Sequence, residues 1–128
     1  MNPSLKWLAL ALGGVLGTFS RYCLSQWVHE KVGASFPWGT MAVNTIGCLA
    51  AGFLFGAVIK GRDVADPGIS LFWVTGFCGA FTTFSALILE TSTLADGGRW
   101  GASFLNVAAG LVLGFGAFMI GRRLPALF

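Results

Sequence analysis

Residues 75–85 read TGFCGAFTTFS and lie in the middle of the charge-free run Pro67–Leu89. That run is long enough to cross a bilayer as a helix, which takes about 20 mostly apolar residues. Within it, Gly76 and Gly79 are followed by a Thr-Thr pair. This pattern predicts a membrane-spanning segment whose helix is broken in its middle.

The composition of the whole chain also indicates a membrane protein. Of its 128 residues, 55% are hydrophobic and 10% are charged, and the mean hydropathy is +0.78. A soluble domain has about 25% charged residues. These values exclude a soluble enzyme, a disulfide-stapled secreted domain and a disordered linker. Cys23, Cys48 and Cys78 lack metal-ligand spacing and are interpreted as small packing residues.

Charge-free stretches define four spans and an all-α integral membrane protein. Besides the run quoted above, they are Trp7–Ser20, Val32–Ile59 and Trp100–Gly121. We predict helices over four ranges: Leu5–Val28, Trp38–Ile59, Ile69–Leu94 and Arg99–Arg122. Residues 1–128 then form a single four-helix transmembrane domain, with no room for a catalytic lobe.

The basic residues predict an orientation. With four spans, both termini and the middle loop share one side, and that side carries Lys6, Lys60, Arg62, Arg122 and Arg123. Lys31 and Arg99 lie on the other side. The positive-inside rule places the termini in the cytoplasm, although five against two is a modest bias that leaves insertion in both orientations open.

Glycines at helical spacing predict close packing between helices. The pairs are Gly13 and Gly17, Gly52 and Gly56, and Gly110 and Gly114. Small residues let membrane helices approach closely, because apolar burial provides no drive between helices in lipid.

Polar side chains within the spans are candidate functional groups, because they are costly in lipid. Arg21 either snorkels to the interface, holds helix ends together or raises the local potential for an anion. Asn44 either links helices or binds a passing anion, and we favour the linking role for Asn106. Arg21 argues against a pathway for cations.

The predicted break has its own alternatives. Freed carbonyls would make a small cation site, and freed N–H groups or hydroxyls an anion site. Close packing between helices through the glycines is the third alternative. The sequence shows no nucleophile with a base, no metal cluster, no phosphate loop and no basic stripe for nucleic acid, so neither an enzyme nor a nucleic-acid partner is predicted.

These residues match a known family, since the chain from about Leu5 to Gly121 resembles the CrcB/Fluc fluoride ion channels. The resemblance is carried by three motifs: Gly13-Gly14-x-x-Gly17-x-x-x-Arg21-Tyr22, Pro37-x-Gly39-Thr40-x-x-x-Asn44 and Gly76-Phe77-x-Gly79-x-x-Thr82-Thr83-Phe84-Ser85. It implies passive, fluoride-selective export across the bacterial inner membrane, which relieves fluoride toxicity. It also implies an antiparallel dimer of oppositely inserted subunits with two pores along the interface.

The resemblance also implies roles for particular residues. The backbone carbonyls of Gly79 and Thr82 would hold a structural Na⁺ at the dimer centre. Asn44 would line the pore, Phe84 would face the anion, and Arg21 would lie near the pore entrance. The full set of residues expected along the fluoride pathway is Asn44, Phe84, Ser85, Thr83, Leu87, Thr40, Arg21 and Glu90.

Three positions depart from the family pattern: Leu87 replaces the second pore aromatic, and Ala86 and Ile88 replace hydroxyl residues. Either a leucine suffices and a homodimer conducts, or the chain pairs with a different subunit that completes a pore. Two other classes remain as rivals. A small four-helix multidrug transporter needs an acidic residue in helix 1, which Leu5–Val28 lacks. A non-conducting structural subunit would explain the glycines but not the placement of Arg21 and Asn44.

Overall fold

A computed structural model describes residues 2–62 and 65–128, and its long elements are helices. No strand occurs within those two ranges. The elements are α1 (Pro3–Val32), α2 (Trp38–Ile59), α3 (Pro67–Ser70), a π-helix (Leu71–Cys78), α4 (Gly79–Phe81), α5 (Phe84–Asp96), α6 (Trp100–Arg123) and a 3₁₀ turn (Leu124–Ala126). Four segments are long and apolar enough to cross a membrane, so the predicted multi-pass, all-helical class is confirmed.

α1 is longer than predicted at both ends. The Asn2 side chain accepts a hydrogen bond from the Ser4 N–H at 3.1 Å and caps the first turn. The helix runs on through Arg21, as predicted, and ends at Val32 instead of Val28. Its last turn therefore includes Glu30, which is exposed.

The third span is built from several pieces. The Asp66 carboxylate accepts hydrogen bonds from the N–H groups of Gly68 at 2.8 Å and Ile69 at 3.3 Å. Pro67, two residues before the predicted helix start at Ile69, is the first helical residue. This position suits proline because its missing N–H has no helical partner there. α3 widens into the π-helix before α4, and such wide turns are rare and occur often at functional sites.

The helix is interrupted between α4 and α5. Thr82 has ψ 153° and Thr83 has φ −148° and ψ 116°, which are extended conformations. α4 stops at Phe81 and α5 starts at Phe84. Two helix ends therefore face each other at membrane depth.

Close glycine contacts join the spans in two pairs. A Cβ on Gly13 or Gly17 would collide with backbone of the π-helix, and one on Gly52 or Gly56 would collide with backbone of α6. The predictions for these two glycine pairs are confirmed. The third pair is different: a Cβ on Gly110 would meet only the Leu87 side chain, and one on Gly114 only Cys48, each at an ordinary 3.4 Å.

Candidate functional site

A cleft of about 420 Å³ opens beside the break in the third span. Its walls are mostly apolar, and its polar wall comes from α2 and the break. Six of the ten residues expected from the sequence line it: Asn44, Gly79, Thr82, Thr83, Phe84 and Leu87. Residues of α2, α4, α5 and α6 thus enclose one space, although the break and Asn44 are far apart in sequence.

Asn44 holds the break from the side of α2. Its Nδ2 donates to the Thr83 carbonyl oxygen at 3.0 Å, and its Oδ1 accepts from the Thr83 N–H at 2.8 Å. One carboxamide therefore satisfies both backbone groups of an extended residue. Asn44 therefore links α2 to the break, and the second N–H of its Nδ2 is left over beside the cleft.

The break deprives the carbonyls of Gly79 and Thr82, among others, of their helical partners. In a continuous α-helix, the N–H of Thr83 would donate to Gly79 and that of Ala86 to Thr82. Here the Thr83 N–H donates to Asn44, and the Ala86 N–H donates to the Thr83 hydroxyl at 3.2 Å. The carbonyls of Gly79 and Thr82 are those that the family resemblance implies for a cation.

Arg21 lies at the same depth, on the side of α1. Its Nε donates to the Ala80 carbonyl oxygen at 3.1 Å. In a continuous helix that carbonyl would accept from Phe84. A guanidinium here compensates the negative end of α4. The structure places this side chain beside the break, where it joins α1 to the end of α4.

The start of α5 presents the opposite polarity. A helix N-terminus carries partial positive charge and unpaired N–H groups. The Thr83 hydroxyl caps α5 and lies 3.2 Å from the Ser85 hydroxyl. The Phe84 side chain is 70% exposed, so its ring edge, which is the positive part of the aromatic quadrupole, is accessible. This end of the break favours an anion.

Thr40 and Glu90 form a separate pair near the middle of α5. The Thr40 hydroxyl donates to Glu90 Oε1 at 2.6 Å, and Glu90 Oε2 is buried with no partner among the described residues. Neither residue lines the cleft. Thr40 lies one helical turn from Asn44 on α2. The Thr40–Glu90 bond therefore continues the polar contacts that Asn44 makes with Thr83.

Leu87 is 6% exposed and packs against Gly110 of α6 at one edge of the cleft. The Leu87 side chain therefore packs between α5 and α6 as well as lining the cleft.

Sequence reasoning did not find Ala80, which has no polar side chain and enters the site only through its carbonyl.

Taken together, these features define a small four-span integral membrane protein with a cleft, polar along one wall, at an interrupted helix. A family model described as CrcB-like protein, Camphor Resistance (CrcB), matches residues 8–122. The chain belongs to this CrcB family.

Several curated relatives match over nearly their whole length. A protein of Desulforapulum autotrophicum named fluoride-specific ion channel FluC is 43% identical, over 91% of this chain and 92% of the relative. Fluoride-specific ion channel FluC 1 of Rubrobacter xylanophilus is 41% identical, over 98% of this chain and 97% of the relative. A protein of Acidobacterium capsulatum named fluoride-specific ion channel FluC is 38% identical, over 91% of this chain and 93% of the relative.

Proposed function

We propose that this protein is a fluoride-selective channel that lets fluoride leave the cell passively and so relieves fluoride toxicity. It is a channel and not an enzyme, and it works in the bacterial inner membrane. Hydrogen fluoride crosses lipid as a neutral acid and ionises inside, which supplies the outward gradient. The similarity to relatives that carry the name of a fluoride channel, at 38% to 43% identity, supports this assignment.

One structural observation carries the proposal. The break turns the positive end of α5 toward the cleft lined by Asn44, while Arg21 occupies the negative end of α4. A dehydrated fluoride ion needs donors to replace its water. The free N–H of Asn44, the hydroxyls of Thr83 and Ser85 and the edge of Phe84 are such donors. Each is weak alone, which permits release as well as entry.

The assembly that we propose is an antiparallel dimer with two pores at its interface. A single chain gives a cleft that is open on one side and a Phe84 ring that is 70% exposed. A second, inverted copy would close the cleft and bring two breaks together. Each subunit would then contribute the carbonyls of Gly79 and Thr82, giving four oxygen ligands, the type that hard cations prefer. A Na⁺ held there would be structural.

Sodium should stabilise the dimer against heat. A ligand that binds only the folded state at 100 times its Kd adds about 2.7 kcal/mol. We therefore expect the purified protein to melt several degrees higher in sodium chloride than in N-methyl-glucamine chloride of equal ionic strength, as recorded by thermal unfolding in detergent. Equal melting temperatures across a sodium titration that starts from sodium-free protein would contradict the carbonyl site.

A vesicle experiment tests conduction and also the composition of the dimer. Liposomes that contain only this chain are loaded with potassium fluoride, efflux is started with valinomycin, and fluoride is recorded with an electrode. We expect the protein-containing vesicles to empty of fluoride and to retain chloride in a parallel chloride experiment. Vesicles that contain folded protein but release no fluoride would rule out the homodimer.

The second candidate is a subunit of a heterodimeric fluoride channel, and Leu87 favours it. This residue stands where the family has its second pore aromatic, and it is packed against Gly110. Conduction that appears only when a second, related chain is reconstituted with this one would support the heterodimer.

The multidrug transporter is less consistent with the structure. The observed α1 includes one acidic residue, Glu30, which the shorter predicted helix excluded. Glu30 is exposed in the last turn, two residues before the helix ends. It does not lie at mid-membrane depth, where a proton-exchanging carboxylate would have to meet its substrate.

A further inference from the structure

Three polar side chains connect α5 to α6, and they lie outside the cleft. Asn106 of α6 is 1% exposed, and its Nδ2 donates to Thr91 Oγ1 at 3.0 Å and, at 3.5 Å, to the Leu87 carbonyl oxygen. Ser103 Oγ, also on α6, donates to the Thr91 carbonyl oxygen at 2.9 Å. We call Asn106, Ser103 and Thr91 the α5–α6 cluster.

The bonds of this cluster run in one direction. The Thr91 hydroxyl donates to the Leu87 carbonyl oxygen of its own helix at 2.7 Å. Its oxygen is then free to accept from Asn106. The result is a chain from Asn106 through Thr91 to Leu87, in which both Asn106 Nδ2 and the Thr91 hydroxyl have acceptors. Such a chain fixes both the rotation and the height of α5 against α6.

α5 needs this fixation because the break separates it from α4. A continuous helix would set the position of Phe84 through its backbone, whereas here Thr82 and Thr83 are extended. Phe84 is the first residue of α5, and Leu87, the end point of the cluster, follows it by about one helical turn. A rotation of α5 about its axis would therefore move the Phe84 ring along the wall of the cleft.

We propose that Asn106 is a positioning residue that sets the Phe84 ring through Thr91 and Leu87, and thereby sets the rate and selectivity of the channel. This inference rests on the proposed fluoride conduction. Asn106 itself lies outside the cleft-lining set, so its effect is transmitted through α5.

The first test is Asn106→Leu, which has a similar volume and no donor. We expect fluoride efflux per folded protein to fall roughly tenfold, about what one lost directed hydrogen bond gives. We also expect the fluoride-to-chloride permeability ratio to fall, because a misplaced ring no longer matches the smaller ion. A loss of fold alone would lower the amount of active protein without changing that ratio.

Thr91→Val provides a second variant with an almost unchanged shape, and Thr93→Val is its matched control. Thr93 donates to the Leu89 carbonyl oxygen at 2.9 Å, the same kind of bond on the same helix, but its side chain is exposed and is not linked to α6. We expect Thr91→Val to behave like Asn106→Leu, and Thr93→Val to behave like the unmodified protein.

The double variant Asn106→Leu with Phe84→Ile tests whether the effect passes through the ring. It should conduct no worse than Phe84→Ile alone. The inference would be overturned if the losses of efflux in the two single variants were fully additive. It would also be overturned if Asn106→Leu and Thr91→Val both had unchanged flux and selectivity. Absence of fluoride efflux from the unmodified protein would instead rule out conduction by the homodimer, so the two failures are distinguishable.

Discussion

Asn44→Asp is expected to lower fluoride efflux by more than about 100-fold. The substitution keeps an oxygen for the Thr83 N–H but loses the donor to the Thr83 carbonyl oxygen. It also places a negative charge on the wall of the cleft. Two like charges 4 Å apart at an effective dielectric constant of 20 repel by about 4 kcal/mol. Each 1.4 kcal/mol is about a factor of ten in rate, so the repulsion alone accounts for a loss of this size.

Asn2→Asp is the matched control, because it makes the same chemical change at the start of α1. Asn2 caps the helix through its side-chain oxygen, and an aspartate caps equally well. The control should therefore retain full efflux. Flux is measured in liposomes at equal protein content, with the elution volume in detergent as the measure of assembly. If Asn44→Asp conducts like Asn2→Asp, then Asn44 does not face the ion.

Much of the fold was predictable because lipid imposes simple rules on sequence. The lengths of the charge-free runs predicted the four spans, and the bounds of α2 agree with the prediction at both ends. Two glycine pairs were predicted correctly from their spacing alone. Gly121 was missed, although a Cβ there would collide with Leu49 of α2. It has no glycine partner one turn away, so spacing gave no signal.

The site was less predictable because its contacts join distant parts of the chain. Asn44 and Thr83 are 39 positions apart, and Arg21 and Ala80 are 59 apart. Periodicity indicates which face of a helix is apolar, but not the height at which two helices meet. That height decides whether Arg21 reaches the lipid headgroups or the break. Close packing at Gly13 and Gly17 sets it, because these residues fix where α1 crosses the third span.

Gly17→Ala is therefore expected to damage both stability and conduction. The added Cβ would collide with the carbonyl oxygen of Phe77, which is backbone and cannot rotate away. α1 would have to move outward, and such overpacking costs about 1–3 kcal/mol or more. Arg21 is one turn further along α1 and would move away from the Ala80 carbonyl. We expect a melting temperature lower by several degrees and fluoride efflux reduced more than tenfold.

Gly14→Ala is the control on the same helix, since a Cβ there meets nothing within 4 Å. Alanine is the better helix former by up to about 1 kcal/mol in water, so Gly14→Ala should be neutral or slightly stabilising. The difference between the two variants then isolates the close approach of α1 to Phe77 from any effect of helix propensity. Equal melting temperatures and equal efflux for both would show that α1 does not need this contact. The depth of Arg21 would then have to be set by its own bond to Ala80.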